Sequence, residues 1–234
     1  MTIATIVSNA TDRIAVSLGS TSVFSNPSET ARQMRALANQ EGTELMRRGS
    51  WQVLTKETTF NALAQETQAG VIPEDFDHML NETFYNRTRK RQVVGPLTPK
   101  EWQEQKSIVA TVLYDSYRIR GGSVLMIPVP SAGDEYAFEY ISNQWVLSTD
   151  QEAKTAFTAD SDTSVLDEEL ITLGVIWRFL KAKGFDYAES FRTYELQVSQ
   201  ALARDGSKRT VNFAQRIDYG RPRYPGIQDG NWNL

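Results

Sequence analysis

The chain has 234 residues, 40% hydrophobic and 23% charged, which suits a globular protein of one large domain or two small ones. Its formal net charge of −4 argues against a protein that works by gripping nucleic acid through the phosphates. The absence of cysteine excludes disulfides, thiolate metal sites and thiol catalysis, and it fits assembly in a reducing cytoplasm. No stretch approaches the roughly 20 apolar residues of a membrane span, and the N-terminus lacks the pattern of a signal peptide.

Two amphipathic helices are predicted at the N-terminal end. Apolar residues recur at helical spacing from the third residue onward, which predicts a helix over residues 3–17. A second start signal follows a polar linker: Asn26 can cap a helix, Pro27 suits its first turn, and Glu29 can reach back as in a capping box. This signal predicts a helix over residues 27–48.

The segment after the second helix mixes strand and helix signals. Residues 51–60 alternate and are rich in threonine, which predicts a strand. Residues 73–83 fit either a short helix or an irregular loop. A repeated helix-start signal then predicts a helix from Pro99 to about Ile108.

A β-hairpin is the clearest strand signal in the chain. Residues 116–120 and 123–127 flank two glycines, which supply the positive φ values that a two-residue turn demands. Residues 136–140 alternate and, continuing towards Leu147, are predicted as a third strand of the same small antiparallel sheet. Together these segments predict a β lobe over about residues 112–148.

Two further helices are predicted after a polar loop. The first covers residues 165–183, and Asp167, Glu168 and Glu169 occupy its first turn, where negative charge complements the helix dipole. Aromatic residues at helical spacing predict the second over residues 186–203. The predicted fold is therefore α+β: a bundle of N- and C-terminal helices, with a small antiparallel β lobe in the middle, forms one domain over residues 1–205.

The remaining residues, 206–234, are predicted to form an extended C-terminal arm. They have no helical or strand period, and their glycines and prolines disfavour regular structure, yet they are rich in aromatic residues and arginines, which anchor interfaces. We expect the arm to become ordered against another chain, and the alternative is an arm that folds back on its own domain. The residues predicted to dock are Phe213, Arg216, Tyr219, Arg221, Arg223, Tyr224 and Trp232.

Signals for catalysis or metal binding are weak. His78, the only histidine, is flanked by Asp75 and Asp77, but without a serine motif or a second histidine the pattern favours a polar surface turn over a catalytic base. Residues 160–164 imitate the start of an EF-hand loop but are followed by neither the required glycine nor the required glutamate. We therefore predict no catalytic residue, no metal site and no cofactor.

One dense basic run stands out, comprising Arg87, Arg89, Lys90 and Arg91. It is short and has a single nearby ring, Tyr85, for stacking on a base. The run can contact nucleic acid or an acidic neighbour, and a solvated face is an equal alternative.

A series of blocks follows the first helix, namely Glu44–Gln52, Asn86–Thr88, Gly95–Trp102, Tyr117–Gly122, Phe138–Tyr140, Leu166–Leu170 and Trp177–Glu189. In this order the blocks resemble the head-to-tail adaptor, or connector, proteins of tailed bacteriophages, especially short-tailed ones. The resemblance covers about residues 3–206, and none of the blocks is a chemical motif.

The resemblance implies a structural protein of the virion neck, assembled in the host cytoplasm and without enzymatic activity. Such adaptors form a ring, commonly of twelve copies, beneath the portal protein; they extend the DNA channel and carry the tail through contacts with nozzle or fibre proteins. In several of them a C-terminal arm docks onto the portal. DNA passes through during ejection without sequence recognition, and no membrane takes part.

A cyclic ring joins two different surfaces of neighbouring subunits. The basic run Arg87–Arg91 and the acidic turn Asp167–Glu169 are candidates for such an inter-subunit charge contact. The alternative functions are another structural component of a phage tail or baseplate and, less favoured, a small-molecule enzyme.

Overall fold

The computed structural model describes residues 1–107 and 114–206 and has the predicted α+β fold. Its helices are α1 (Ile3–Arg13), α2 (Glu29–Arg47), α3 (Pro99–Ser107), α4 (Glu168–Lys183) and α5 (Ala188–Asp205). Its strands are β1 (Thr55–Asn61), β2 (Thr67–Gln68), β3 (Phe76–Met79), β4 (Tyr85–Asn86), β5 (Arg91–Gln92), β6 (Ser116–Arg120), β7 (Ser123–Ile127), β8 (Glu135–Ser142), β9 (Val146–Leu147), β10 (Ala153–Lys154) and β11 (Thr163–Ser164). The predicted helix end at Ile108 and the predicted arm beyond Gly206 lie outside the described residues.

The first helix is shorter than the predicted span of residues 3–17. The Thr2 hydroxyl accepts a hydrogen bond from the N–H of Thr5 at its start, and the helix ends at Arg13. The chain leaves the helical conformation at Ala15, whose φ of 54° lies in the left-handed region.

The second helix begins at Glu29, and its cap is Ser28 rather than Asn26. The Ser28 hydroxyl accepts a hydrogen bond from the N–H of Ala31 at 3.1 Å. The Asn26 side chain instead orders the preceding linker, because it accepts from the N–H of Ser28 and donates to the carbonyl of Leu18.

Helix α4 is the centre of the helical core, with α1, α2 and α5 packed around it. Leu170 and Trp177 are buried on one side of α4, and Ile171, Val175 and Phe179 are buried as well. A helix that is apolar on most sides belongs in the interior of a core. The predicted packing of N-terminal against C-terminal helices is confirmed, and none of the helices described is long and apolar enough to cross a membrane.

Caps define both ends of α4. The Asp167 carboxylate accepts from the N–H of Glu169 at 2.9 Å, so the helix begins at Glu168 rather than at residue 165. It ends at Gly184, whose φ of 76° is the left-handed conformation that glycine adopts without strain. The last helix, α5, then begins at Ala188, two residues later than predicted.

The strands form three antiparallel sheets, so the prediction of one small sheet was wrong. Strand β8 is central in the largest sheet, with β1 on one side, β3 and β4 on the other, and β5 beyond β4. The predicted hairpin of β6 and β7 forms around Gly121 and Gly122, but its third strand is β2 rather than β8. Strands β9, β10 and β11 make the third sheet. A hairpin can be predicted from the residues of its own turn. The strands that pair with β8 cannot, because they depend on how both faces of β8 are buried in the fold.

The strand predicted over residues 51–60 begins later, at Thr55, after a 3₁₀ turn over Gln52–Leu54. Residues 73–83 contain strand β3, which neither predicted alternative included. The polar segment predicted as a loop between β9 and α4 contains the two-residue strands β10 and β11.

A second core, separate from the helical one, lies in the β region and is built around Phe84. Aromatic rings pack on Phe84 with centroids 4.8–5.7 Å away. These rings are Tyr117, Tyr136 and Phe138. The buried residues of this core run from Ala62 to Tyr140, so the β region starts well before the lobe predicted over about residues 112–148.

Candidate functional site

His78 lies on the exposed part of β3, in a chain of hydrogen bonds with the residue types of a catalytic triad. Its Nδ1 is 2.7 Å from a carboxylate oxygen of Asp77, and its Nε2 is 3.3 Å from the hydroxyl of Ser50. Sequence reasoning missed Ser50 because this serine lies on a distant segment without a motif.

The surroundings of His78 do not suit covalent catalysis. The imidazole is 45% exposed and the Asp77 carboxylate is also in contact with solvent. A nucleophile, base and carboxylate work together where the carboxylate is buried and water is excluded. The arrangement therefore fits the exposed polar surface that the sequence favoured, although His78 lies on strand β3 rather than in a turn.

Asp75, the other predicted partner of His78, has a different role. Its carboxylate accepts hydrogen bonds from the hydroxyls of Tyr140 and Ser142 at 2.9 and 2.7 Å and from the ammonium of Lys56 at 2.6 Å. Burial acts to raise the pKa of Asp75, but these hydrogen bonds outweigh burial and hold the pKa below its ordinary value. Asp75 thus ties the segment before β3 to strands β8 and β1.

The basic run at the β4–β5 turn is partly satisfied within its own chain. Arg87 pairs with the carboxylate of Glu57, and the Nε of Arg89 is 2.8 Å from a carboxylate oxygen of Asp134. Lys90 and Arg91, the other two members of the run, form no ion pair with any residue that the structure describes.

The acidic turn also has partners inside the chain. Glu168 pairs with the N-terminal ammonium of Met1, and Glu169 binds the guanidinium of Arg13 through two contacts of 2.5 and 2.8 Å. Asp167 caps α4. The structure therefore does not bring the basic run and the acidic turn together within one copy.

A shallow cavity of about 570 Å³ lies on the face of the largest sheet, beside β4 and β8. We call it the acidic cavity because the carboxylates of Glu57, Glu82 and Glu139 line it, although Arg87 and Lys90 do so as well. Glu57 and Glu139 are directly opposite each other on β1 and β8, and like charges in that position repel.

Aromatic side chains cluster where α4 turns into α5. Phe185, Tyr187 and Phe191 are 62%, 36% and 38% exposed. The rings of Phe191 and Tyr187 lie against Trp177, with centroids 5.0 and 6.3 Å from that of its indole. We call these four residues the α4–α5 aromatic patch. Aromatic residues are enriched in protein interfaces, so this cluster is a candidate contact surface.

A buried charged network fixes the helix pair that carries this patch. The carboxylate of Glu41, on α2, is fully buried; it accepts from the Nε of Arg178 at 2.8 Å and from the hydroxyl of Tyr194 at 2.5 Å. Glu44 binds the same guanidinium at 2.9 Å. Burial raises the pKa of Glu41, and the hydrogen bonds from Tyr194 and Arg178 only partly oppose it. Sequence reasoning missed this network, since its members lie on three helices with no shared local pattern.

No group of three or more histidine, aspartate or glutamate side chains is arranged to hold a metal ion within residues 1–107 and 114–206. The predicted docking residues of the arm, from Phe213 to Trp232, lie outside the described residues.

Comparison with known proteins assigns the family. A family model described as SU10 adaptor protein matches residues 1–223. Because the match spans most of the chain, the chain belongs to the SU10 adaptor protein family and is a phage adaptor, a structural protein that interacts with other head or tail proteins. No curated protein matches the chain. The resemblance to phage adaptors is thereby confirmed, and the matched span continues beyond α5 into the predicted arm as far as Arg223.

Proposed function

Taking membership of the SU10 adaptor family as the premise, we propose that the protein is the head-to-tail adaptor of a phage neck. It forms a ring beneath the portal protein, of twelve copies as the resemblance implies, extends the DNA channel and carries the tail. The observation that carries this proposal is the family match over residues 1–223. The net charge of −4 is consistent with a channel wall along which DNA slides without being held.

The α4–α5 aromatic patch is the proposed main contact between neighbouring subunits. A ring needs two different complementary surfaces on each copy, and this patch exposes rings on a helix pair that the Glu41 network holds in place. Burying such a ring contributes about 1.5–3 kcal/mol. A few of these rings suffice to bias neighbouring subunits towards association.

A charge contact is proposed at the rim of the same interface. It joins Lys90 and Arg91 of one subunit to the acidic turn Asp167–Glu169 of the next. Glu168 and Glu169 already pair within their chain but remain partly exposed, so a second cation can approach them. Exposed ion pairs contribute only about 0.2–1 kcal/mol each, so this contact sets the orientation of subunits rather than their affinity.

The arm, residues 206–234, is proposed to dock on the portal or on an adjacent adaptor subunit. Its composition supports this proposal, and so does the extension of the family match to Arg223. The side chains proposed to make the contact are Phe213, Arg216, Tyr219, Arg221, Arg223, Tyr224 and Trp232.

Adding charge to the aromatic patch tests the ring. The variant Phe191→Asp changes an exposed side chain, so we expect the subunit to stay folded but to form no ring and to be missing from assembled necks. Thr193→Asp, an exposed position on the same helix, is the matched control and should assemble normally. Assembly is measured by native mass spectrometry in the presence of the portal protein and by the number of copies per particle. A wild-type chain that stays monomeric with its portal contradicts the ring, and normal rings of Phe191→Asp contradict the assigned surface.

A further inference from the structure

Strand β1 has an open edge. Among the residues that the structure describes, β8 is its one neighbour in the sheet. In an antiparallel pair, alternate residues direct their N–H and C=O groups to opposite sides of the strand. On β8, the carbonyl of Glu139 accepts from the N–H of Leu80, on the side away from β1. Glu57, the residue opposite Glu139, and Thr59, two positions further along, therefore direct their backbone groups away from the sheet.

This open edge borders a face with an excess of negative charge. Glu57 and Glu139 lie opposite each other, and Asn61 lies opposite Glu135. Arg87 approaches Glu57 and Glu135, but Glu139 makes no ion pair with any part of the chain that the structure describes. A segment that pairs with β1 and carries positive charge would satisfy the backbone groups and reduce this repulsion together.

The C-terminal region begins beside this edge. The carboxylate of Asp205, at the end of α5, accepts a hydrogen bond from the N–H of Gln52 at 2.7 Å. Gln52 starts the 3₁₀ turn that leads directly into β1. The chain therefore leaves its last helix at the N-terminal end of β1, within a few residues of the open edge.

The sequence that follows suits both the edge and its charge. Residues 207–219 contain neither glycine nor proline, and they include the strand-favouring residues Thr210, Val211, Phe213 and Ile217. The basic residues of the region beyond Gly206 are Lys208, Arg209, Arg216, Arg221 and Arg223, against the acidic residues Asp218 and Asp229. β1 is seven residues long, so the stretch is more than long enough to cover it.

We propose that residues 207–219 pair with the open edge of β1 in the same chain, as a strand parallel to it, with a basic side chain on the same face as Glu57 and Glu139. Main-chain hydrogen bonds supply the affinity in this mode of strand addition, and side chains supply the specificity. Because the side chains of a strand alternate between its two faces, the pairing places either Phe213 or Arg216, but not both, on the face of the acidic cavity. It leaves residues 220–234 to reach the partner. The two predicted destinations of the arm, its own domain and another chain, then apply to its first and second parts. The pairing does not depend on ring formation.

Engineered cysteines in the full-length protein test this pairing, since the chain has none of its own. Thr59→Cys is combined in turn with Asn212→Cys, Phe213→Cys and Ala214→Cys, and each double variant is oxidised mildly as a monomer. At least one pair should form a disulfide within the chain, seen as a mobility shift that a reductant reverses. Ala214→Cys combined with Glu152→Cys, at the residue before β10 of another sheet, is the control and should not cross-link. Failure of all three pairs, or disulfides between chains alone, overturns the proposal.

Hydrogen exchange tests the same pairing without cysteines. In the wild-type chain, amides of residues 207–217 should exchange at least about tenfold more slowly than those of residues 224–234. Thr59→Pro removes an outward N–H that β8 does not use, and the double variant Glu57→Lys with Glu139→Lys reverses the charge of the face beside β1. In both variants the amides of residues 207–217 should lose their slow exchange, while the amides of α4 should keep theirs. Glu152→Lys is the charge control and should leave the exchange of residues 207–217 and of α4 unchanged. Equal exchange across the C-terminal region of the wild type overturns the pairing, while rings that still assemble would leave the adaptor function standing.

Discussion

A buried carboxylate that the sequence did not reveal controls how the helices of this adaptor pack. Glu41 is held by Arg178 and Tyr194, so three helices share one network. Burying a charge is costly unless every polar atom finds a partner, and this network supplies a partner to each carboxylate oxygen. Removing one member therefore leaves a charge that is buried and incompletely paired.

Replacing Tyr194 with phenylalanine should destabilise the protein by about 1.5–3 kcal/mol at pH 7, because a hydrogen bond to a charged group is lost. The pKa of Glu41 is already raised by burial, so its charged form costs stability that is regained as pH falls through that pKa. The loss caused by Tyr194→Phe should therefore shrink as the pH is lowered. Urea unfolding at pH 7 and near pH 4 measures the difference, with the exposed Tyr187→Phe as control. An equal loss at both pH values contradicts this account.

The hydrogen-bond chain of Ser50, His78 and Asp77 is expected to have no catalytic role. His78→Ala and Ser50→Ala should each leave phage infectivity nearly unchanged, because all three groups are exposed to solvent. Plaque titres of phage that carry each variant measure this. Intact particles that lose infectivity with either substitution would assign chemistry to the site.

At the scale of elements, local signals in the sequence predicted most helices and one hairpin but not the sheets. The two glycines at the β6–β7 turn fix a hairpin by their own conformational freedom, and both have positive φ in the structure. The partners of β8 could not be read in this way, since a strand buried on both faces is compatible with several neighbours. The cap of α2 was misassigned for a related reason: Asn26 and Ser28 are equally good caps, and the contact of Asn26 with Leu18 decides between them.

In the candidate site, too, local sequence signals did not reveal partners that are distant in the chain. The basic run was visible as a cluster of like residues, but its partners Glu57 and Asp134 lie on other strands. The aromatic residues of α5 were recognised by their helical spacing, but the structure leaves Phe191 partly exposed and buries Tyr194. Helical spacing identifies a shared face, but only the packing of neighbouring helices decides how much of that face is covered.

A close approach of two helices provides a test at this scale. A Cβ atom added to Gly174 on α4 would lie 2.1 Å from the Cδ of Glu41 on α2, and that buried carboxylate cannot move without losing its partners. Gly174→Ala should therefore cost about 1–3 kcal/mol through overpacking, in spite of the gain of about 1 kcal/mol in helix propensity. Gln197→Ala, on the exposed face of α5, is the control. Thermal unfolding measures both variants, and a stabilised Gly174→Ala protein would show that the two helices can separate freely.

For the whole molecule, the arm is expected to matter for attachment rather than for folding. A chain that lacks residues 219–234 should remain folded, because both cores lie within the residues before it. It should no longer join DNA-filled heads stably, since five of the seven side chains proposed to make the contact are lost. Sedimentation of particles assembled with the truncated protein measures the joining, and a chain with residues 219–234 in shuffled order is the control. Normal joining by the truncated chain would remove the arm from the contact.

The central claim, a ring-forming adaptor beneath the portal, is tested most directly by imaging the neck of the assembled particle. Electron cryo-microscopy of the virion should show this fold repeated around the DNA channel, in twelve copies, directly below the portal, with the α4–α5 aromatic patch buried between neighbouring copies. Finding the protein in a baseplate or fibre, or in isolated copies that do not surround the channel, would contradict the account.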